Sequence, residues 1–376
     1  MCSLFYAYGC LVRRYDPAAQ AFATALVREL VRRMDQPYVR GALGSTDMAD
    51  LVQAAAQLYV VHGAPAQPRG PAAASATAAG PAAAAARAAA GAQGHPFQQQ
   101  QGPGPGSHPQ VPAEVRSLLD LVAGEVRRQL ANKNSSLSPF TPGDLVRFLG
   151  SYALLQHRSS HAQPMLDVVA SWVVQRIKAR HMNCMSKGRH LAALLAAYAD
   201  LDHASVTVPE LLAATGEQVR RLAAQQHDRH TADAAAAAGP ALTLAGSPSA
   251  PTAAAAPAAA APAAGAWPAT GPPDEGLGLQ DLNSILASHL RLGYCPPLLL
   301  LHAIQPLVIH ALPSSAPLDV ACHLHLLSLV PGYRPGAAAV SLMLACVGSG
   351  GSGSEQLPPE ALVQARLDAA SLEWHE

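Results

Sequence analysis

Large apolar residues recur along this chain at the spacing of one face of an α-helix. Between residues 140 and 222 the pattern is written twice as helix, turn, helix. Leu145, Phe148, Leu149, Tyr152 and Leu155 fall at i, i+3, i+4, i+7 and i+10, and Leu191, Leu194, Leu195, Tyr198 and Leu201 repeat those offsets. This spacing gathers the bulky groups on one stripe of a 3.6-residue helix. A second helix follows each of these first helices. One is striped by Leu166, Val169, Trp172, Val173 and Ile177, the other by Leu211, Leu212, Thr215, Val219 and Leu222. Thr141 suits an N-cap, Pro142 the first helical turn, and Asp144 the acidic position of a capping box.

The same pattern returns elsewhere. Leu4, Phe5, Tyr8 and Leu11 match Phe148, Leu149, Tyr152 and Leu155, so Met1 takes the place of Leu145 and the chain is expected to begin inside a repeat. Residues 16–34 read as a second helix with Phe22, Leu26, Leu30 and Met34 in its stripe. Residues 46–61 read as the next first helix, and its partner carries Val115, Leu118, Leu119, Val122, Val126 and Leu130. Further pairs read over 281–292 with 297–312, and over 319–330 with 335–347. Leu145 and Leu191 stand 46 residues apart, Leu282 and Val320 38. A period of this size is that of helix-pair repeats. One hairpin cannot bury its stripe alone, and stacked copies can. The prediction is an all-α chain, an α-solenoid of about six antiparallel helix pairs.

Two local signatures support the register. Tyr15-Asp16-Pro17, Tyr294-Cys295-Pro296 and Tyr333-Arg334-Pro335 stand just before second helices. Asp50-Leu51, Asp144-Leu145, Asp281-Leu282 and Asp319-Val320 open first helices, where an acid favours the helix dipole.

Composition divides the chain. Residues 63–110 are dominated by Ala, Gly, Pro and Gln, and residues 228–275 by Ala and Pro. Such segments bury too little to offset their ordering entropy, so both are expected to be disordered insertions. Helical repeats are expected over 1–62, 111–227 and 276–347, and a Gly/Ser linker with a C-terminal helix over 348–376. Residues 1–62 and 111–226 carry 19 Lys+Arg against 14 Asp+Glu, and 276–376 carry 3 against 7. The formal net charge is +0, so binding of nucleic acid by bulk charge alone is excluded.

Enzyme signatures are missing: there is no Walker loop, GxSxG or HExxH, and no GxGxxG opens a helix. The six cysteines form no CxxC pair, and no cofactor is expected. His323 and His325 stand at i and i+2, which do not share a helix face, so they are not read as a metal pair. His289 occupies the slot of Tyr152 and Tyr198 and reads, like Trp172, as a core residue. No apolar run is long enough for a transmembrane helix.

The segments DLVRFLGSYALL and HLAALLAAYADL, each followed by a second helix, resemble the helical repeats of octotricopeptide-repeat proteins. They are also similar to the leucine-rich region of FAST-kinase-like and RAP-domain proteins. The resemblance covers most of the folded part and includes the low-complexity insertions. The Pro-Pro-Pro-x-Trp element and a RAP-type domain are absent. The resemblance implies an α-solenoid that binds single-stranded RNA in a chloroplast or mitochondrion. Its expected role is in transcript stability, processing, translation or ribosome assembly, with ribosomal or other organellar proteins as further partners.

The residues offer two candidate RNA surfaces. Basic residues cluster near the ends of second helices: Arg32 and Arg33, Arg127 and Arg128, Arg176 with Lys178 and Arg180, and Arg220 with Arg221. Stacked in a solenoid, equivalent positions form a ridge that follows a phosphate backbone. In related repeat proteins, bases are read from exposed first-helix positions; here these would be Arg147, Ser151, Asn283 and Ser288. Ser151 and Ser288 each stand six residues after the leucine that opens the helix. The alternative is a protein-binding scaffold of HEAT or armadillo type, which the neutral overall charge favours.

Overall fold

The computed structural model describes residues 5–7, 17–61, 111–131, 140–179, 185, 187–238, 276–348 and 358–373. The described residues are mainly helical, with no strand among them. In chain order the helices are α1 (Pro17–Met34), the short α2 (Pro37–Gly41), α3 (Ser45–Ala56), α4 (Ala113–Ala131), α5 (Pro142–Leu155), α6 (Ala162–Lys178) and α7 (Gly188–Asp200). There follow α8 (Val208–Ala238), α9 (Leu279–Arg291), α10 (Leu298–Ala311), α11 (Pro317–Ser328), α12 (Ala337–Gly348) and α13 (Pro359–Glu373).

Alternate helices pack side by side. α3, α5, α7, α9, α11 and α13 touch in that order, and α1, α4, α6, α8 and α10 touch in theirs. The expected stripes lie between the two rows. Leu145, Phe148, Leu149, Tyr152, Leu191, Leu194, Leu195 and Tyr198 are fully buried. Burying one such leucine side chain stabilises by roughly 1.5–3 kcal/mol. The N-terminal reading of a buried Phe5 is met; Met1, Leu4, Tyr8 and Leu11 lie outside the described residues.

Helix ends follow local chemistry. The Thr141 hydroxyl accepts the Asp144 N–H at 3.1 Å, with Pro142 in the first turn. At α3 and α9 the acid alone does the work, since Gly44 and Gly278 have no side chain: Asp47 and Asp281 accept their N–H groups at 3.1 and 3.3 Å. Each of α5, α7, α9 and α11 is followed by one left-handed residue, Gln156, Asp202, Gly293 and Gly332. Next to it the chain closes back on the helix, as in His157 N–H to Tyr152 O and His203 N–H to Tyr198 O, both at 3.2 Å.

A clasp recurs between a second helix and the first helix that follows it. The Tyr152 hydroxyl donates to Leu119 O, and the ring meets His157 edge-on at 5.8 Å. His157 Nε2 in turn lies 2.9 Å from Asp120. One repeat later Tyr198 donates to Leu166 O, meets His203 edge-on at 5.8 Å, and His203 Nε2 lies 3.0 Å from Asp167. In α9 the two residue types are exchanged, with His289 in the tyrosine slot and Tyr294 five residues on. Thr215 there donates to Leu211 O and Leu212 O, the carbonyls of α8 that lack a tyrosine partner.

The structure departs from the expected elements at three places. The helix expected over 46–61 ends at Ala56 and continues as a π-helical turn over Gln57–Val61. A short helix over 37–41 was not expected. α8 runs to Ala238 rather than ending at 227, because its alanine-rich end has the highest helix propensity of any composition. The C-terminal helix expected within 348–376 is present as α13, and it packs on α11 and α12. The expected disorder of 63–110 and of 239–275 concerns residues outside those described.

Candidate nucleic-acid interface

The row of second helices sets the basic clusters on neighbouring elements, α1, α4, α6 and α8. Each cluster except that of α6 carries its own acid one turn back. Arg32 and Arg33 both reach Glu29, at 2.7 and 2.8 Å. Arg128 pairs with Glu125. Arg220 and Arg221 both reach Glu217, at 2.9 and 3.2 Å. Lys178 crosses to Glu210 of α8 at 2.6 Å. Arg176 lies over the ring of Trp172, 5.1 Å from its centre. Arg127 is exposed, and no ion pair engages it among the described residues. Arg180 lies outside the described residues. Arg220 and Arg221 are not at a helix end, since α8 continues past them.

The pairing has electrostatic consequences. Hydrogen bonds from Arg32 and Arg33 hold the Glu29 carboxyl down to about 2, and Glu29 raises the Arg32 guanidinium in return. Glu125 does the same for Arg128. The acids are not alike in exposure: the Glu125 side chain is 3% exposed, whereas Glu29 and Glu217 are 35% and 43% exposed. Glu125 is further fixed by Gln129, which also donates to Leu43 O.

The first-helix candidates are engaged within the fold. Ser151 and Ser288 were expected to be exposed and are instead buried, each donating back to the carbonyl four residues earlier at 2.7 Å. They sit where first helices pack on one another, and the back-bond satisfies the hydroxyl without water. Asn283 bridges to α11, donating to Asp319 O at 2.8 Å and facing His323 Nδ1 at 2.7 Å. Arg147 ties α5 to α3 through Asp50 at 2.8 Å and holds Asp144 in its own helix. Burial works against ionisation of Asp144, yet hydrogen bonds from Arg147 and Thr141 outweigh it and keep the carboxyl below its ordinary value.

Along the exposed side of α3, α5 and α7 runs an open groove of about 670 Å³, with Gln53, Gln57, Gly150, Ala193, Ala196 and Asp200 on its walls. Two of the first-helix candidates, Arg147 and Ser151, are among the residues that line it. It arises because three consecutive first helices present small residues on the same side.

His323 and His325 part company as expected for i and i+2. His323 is buried against Asn283, and His325 pairs with Asp368 of α13 at 3.1 Å. Trp172 is partly buried against the core. Among the described residues no helix is long and apolar enough to cross a membrane. No protein-family model matches this chain, and no curated protein matches it.

Proposed function

We propose that the chain is an α-solenoid that binds single-stranded RNA along the row of second helices. This reading takes up the likeness of its repeats to organellar RNA-binding helical-repeat proteins, with a role in transcript stability, processing, translation or ribosome assembly. The observation that carries it is the succession of Arg32/Arg33, Arg127/Arg128, Arg176/Lys178 and Arg220/Arg221 on helices that pack one after another. Exposed ion pairs contribute only about 0–1 kcal/mol. Phosphates can therefore take the place of Glu29 and Glu217 at little cost, while Arg127 needs no exchange at all. The buried Glu125 is a fixed acid that orients Arg128 rather than one that leaves.

Filter binding of a pooled organellar RNA across a salt series tests the reading. Gln replacements at Arg127, Arg220 and Arg221 should weaken binding without altering sequence preference. Each lost phosphate contact should lower the salt slope by roughly 0.7. Absence of RNA binding at low salt sinks the proposal. A protein-binding scaffold is the second reading, favoured by the neutral groove across α3, α5 and α7. It predicts no RNA binding, and partner binding that a bulky residue at Ala193 or Ala196 abolishes.

A further inference from the structure

Most histidines of the fold that make polar contacts do so within the structure. His157, His203 and His325 pair with Asp120, Asp167 and Asp368, and His323 faces Asn283. The cleft between α8 and α10 is different. His227 and His230 of α8 and His302 and His310 of α10 line one open space of about 540 Å³. The rings of His230 and His310 meet across it at a tilt, 3.8 Å between centres and 36° between planes. Among the described residues no hydrogen bond or carboxylate engages His227, His230 or His310. No carboxylate lines the cleft, whose other polar groups are Thr231 and Gln305.

We propose that this cleft takes one divalent transition-metal ion of the zinc, nickel or copper class, held by His230 and His310 from two different helices, with His227 and water completing the shell. Imidazole is the ligand these ions share, and a cleft that offers imidazoles and no carboxylate disfavours magnesium and calcium. Among the described residues no three ligating groups stand ready around one point. Binding therefore turns the His230 and His310 rings until their nitrogens converge, and brings in His227. It stands three residues before His230, on the same helix face, and it is exposed, so the turn meets no packing. A bound ion joins the far half of α8 to α10, independently of any RNA on the row of second helices.

Zinc uptake by the full chain, measured by equilibrium dialysis at neutral pH, decides the matter. The chain has 16 histidines, so the reading is the difference between the native chain and a His230→Asn/His310→Asn variant. Both rings are at the surface of the cleft, and the metal-free variant should keep the helical circular dichroism of the native chain. The native chain should bind one zinc equivalent more than the variant, or the same equivalent at least about tenfold more tightly, the least that even outer-shell changes to a metal site produce. That difference should vanish below about pH 6, where protons compete for imidazole, and excess magnesium should not displace the zinc. Equal uptake by both proteins, or displacement by magnesium, overturns the proposal.

Discussion

The phenol of Tyr198 donates to the backbone carbonyl of Leu166 at 2.7 Å, and Tyr152 makes the same bond to Leu119 at 2.6 Å. Both rings are fully buried, and each ties a first helix to the second helix before it. Tyr198→Phe keeps the packing and removes only the bond. It should cost about 1 kcal/mol, the net worth of an intramolecular hydrogen bond, seen as a lower denaturation midpoint with an unchanged circular dichroism spectrum. No change in midpoint would mean that the hydroxyl adds nothing to the packing of its ring.

Acid should loosen the C-terminal helices through His323. Asn283 gives its amide N–H to Asp319 O, so its oxygen faces His323 and the imidazole must carry its hydrogen on Nδ1. The ring is buried and neutral, and burial holds it down to about 4. The unfolded chain protonates the same group near pH 6.5. Stability is therefore full above about pH 6.5 and drains away as pH falls towards 4, by about 3 kcal/mol in all. His289, also held down by burial, acts in the same direction. Denaturation at a series of pH values should show His323→Gln with a shallower acid slope than the native chain. Identical slopes would show that the ring is protonated within the fold.

The left-handed residues after the first helices predict opposite effects of one exchange. Asp202 has φ 50° and Gly293 φ 79° at equivalent places. A side chain in this conformation costs roughly 1–2 kcal/mol, less for Asp, which bonds locally. Asp202→Gly should stabilise by up to about 1 kcal/mol, and Gly293→Ala should destabilise by about 1–2 kcal/mol. Thermal melts of the two variants check both signs. A destabilising Asp202→Gly would show that the contact of Asp202 with Arg158 at 3.5 Å outweighs the backbone.

The stripes of Leu145 to Tyr152 and Leu191 to Tyr198 were legible because a 3.6-residue period demands burial on one side. Thr141 was legible as a cap because its chemistry is local. The surface was less so. Serine polarity in Ser151 and Ser288 pointed outwards, yet a helical serine satisfies itself on its own backbone and can be buried. The pairing of Arg32 and Arg33 with Glu29, and of Arg220 and Arg221 with Glu217, is written in the i−3 and i−4 spacing, where an acid one turn back neutralises a basic cluster. The clasp is equally visible as Tyr-x4-His at Tyr152–His157 and Tyr198–His203, although apolar periodicity singles out the tyrosines alone. No sequence period announces the meeting of His230 and His310, since it depends on how far α8 extends.

The clasp also bears on how such a chain is inherited. Tyr152 and His157 lock onto Leu119 and Asp120, and Tyr198 and His203 onto Leu166 and Asp167. The piece that carries both halves of its own lock is thus a second helix with the first helix after it, α4 with α5 or α6 with α7. A recombination break between His157 and α6 leaves both locks whole, whereas one between α4 and α5 parts Tyr152 from its carbonyl. Gene segments that copy this architecture faithfully are those cut in phase with the lock, not with the turn that the eye first takes for the repeat.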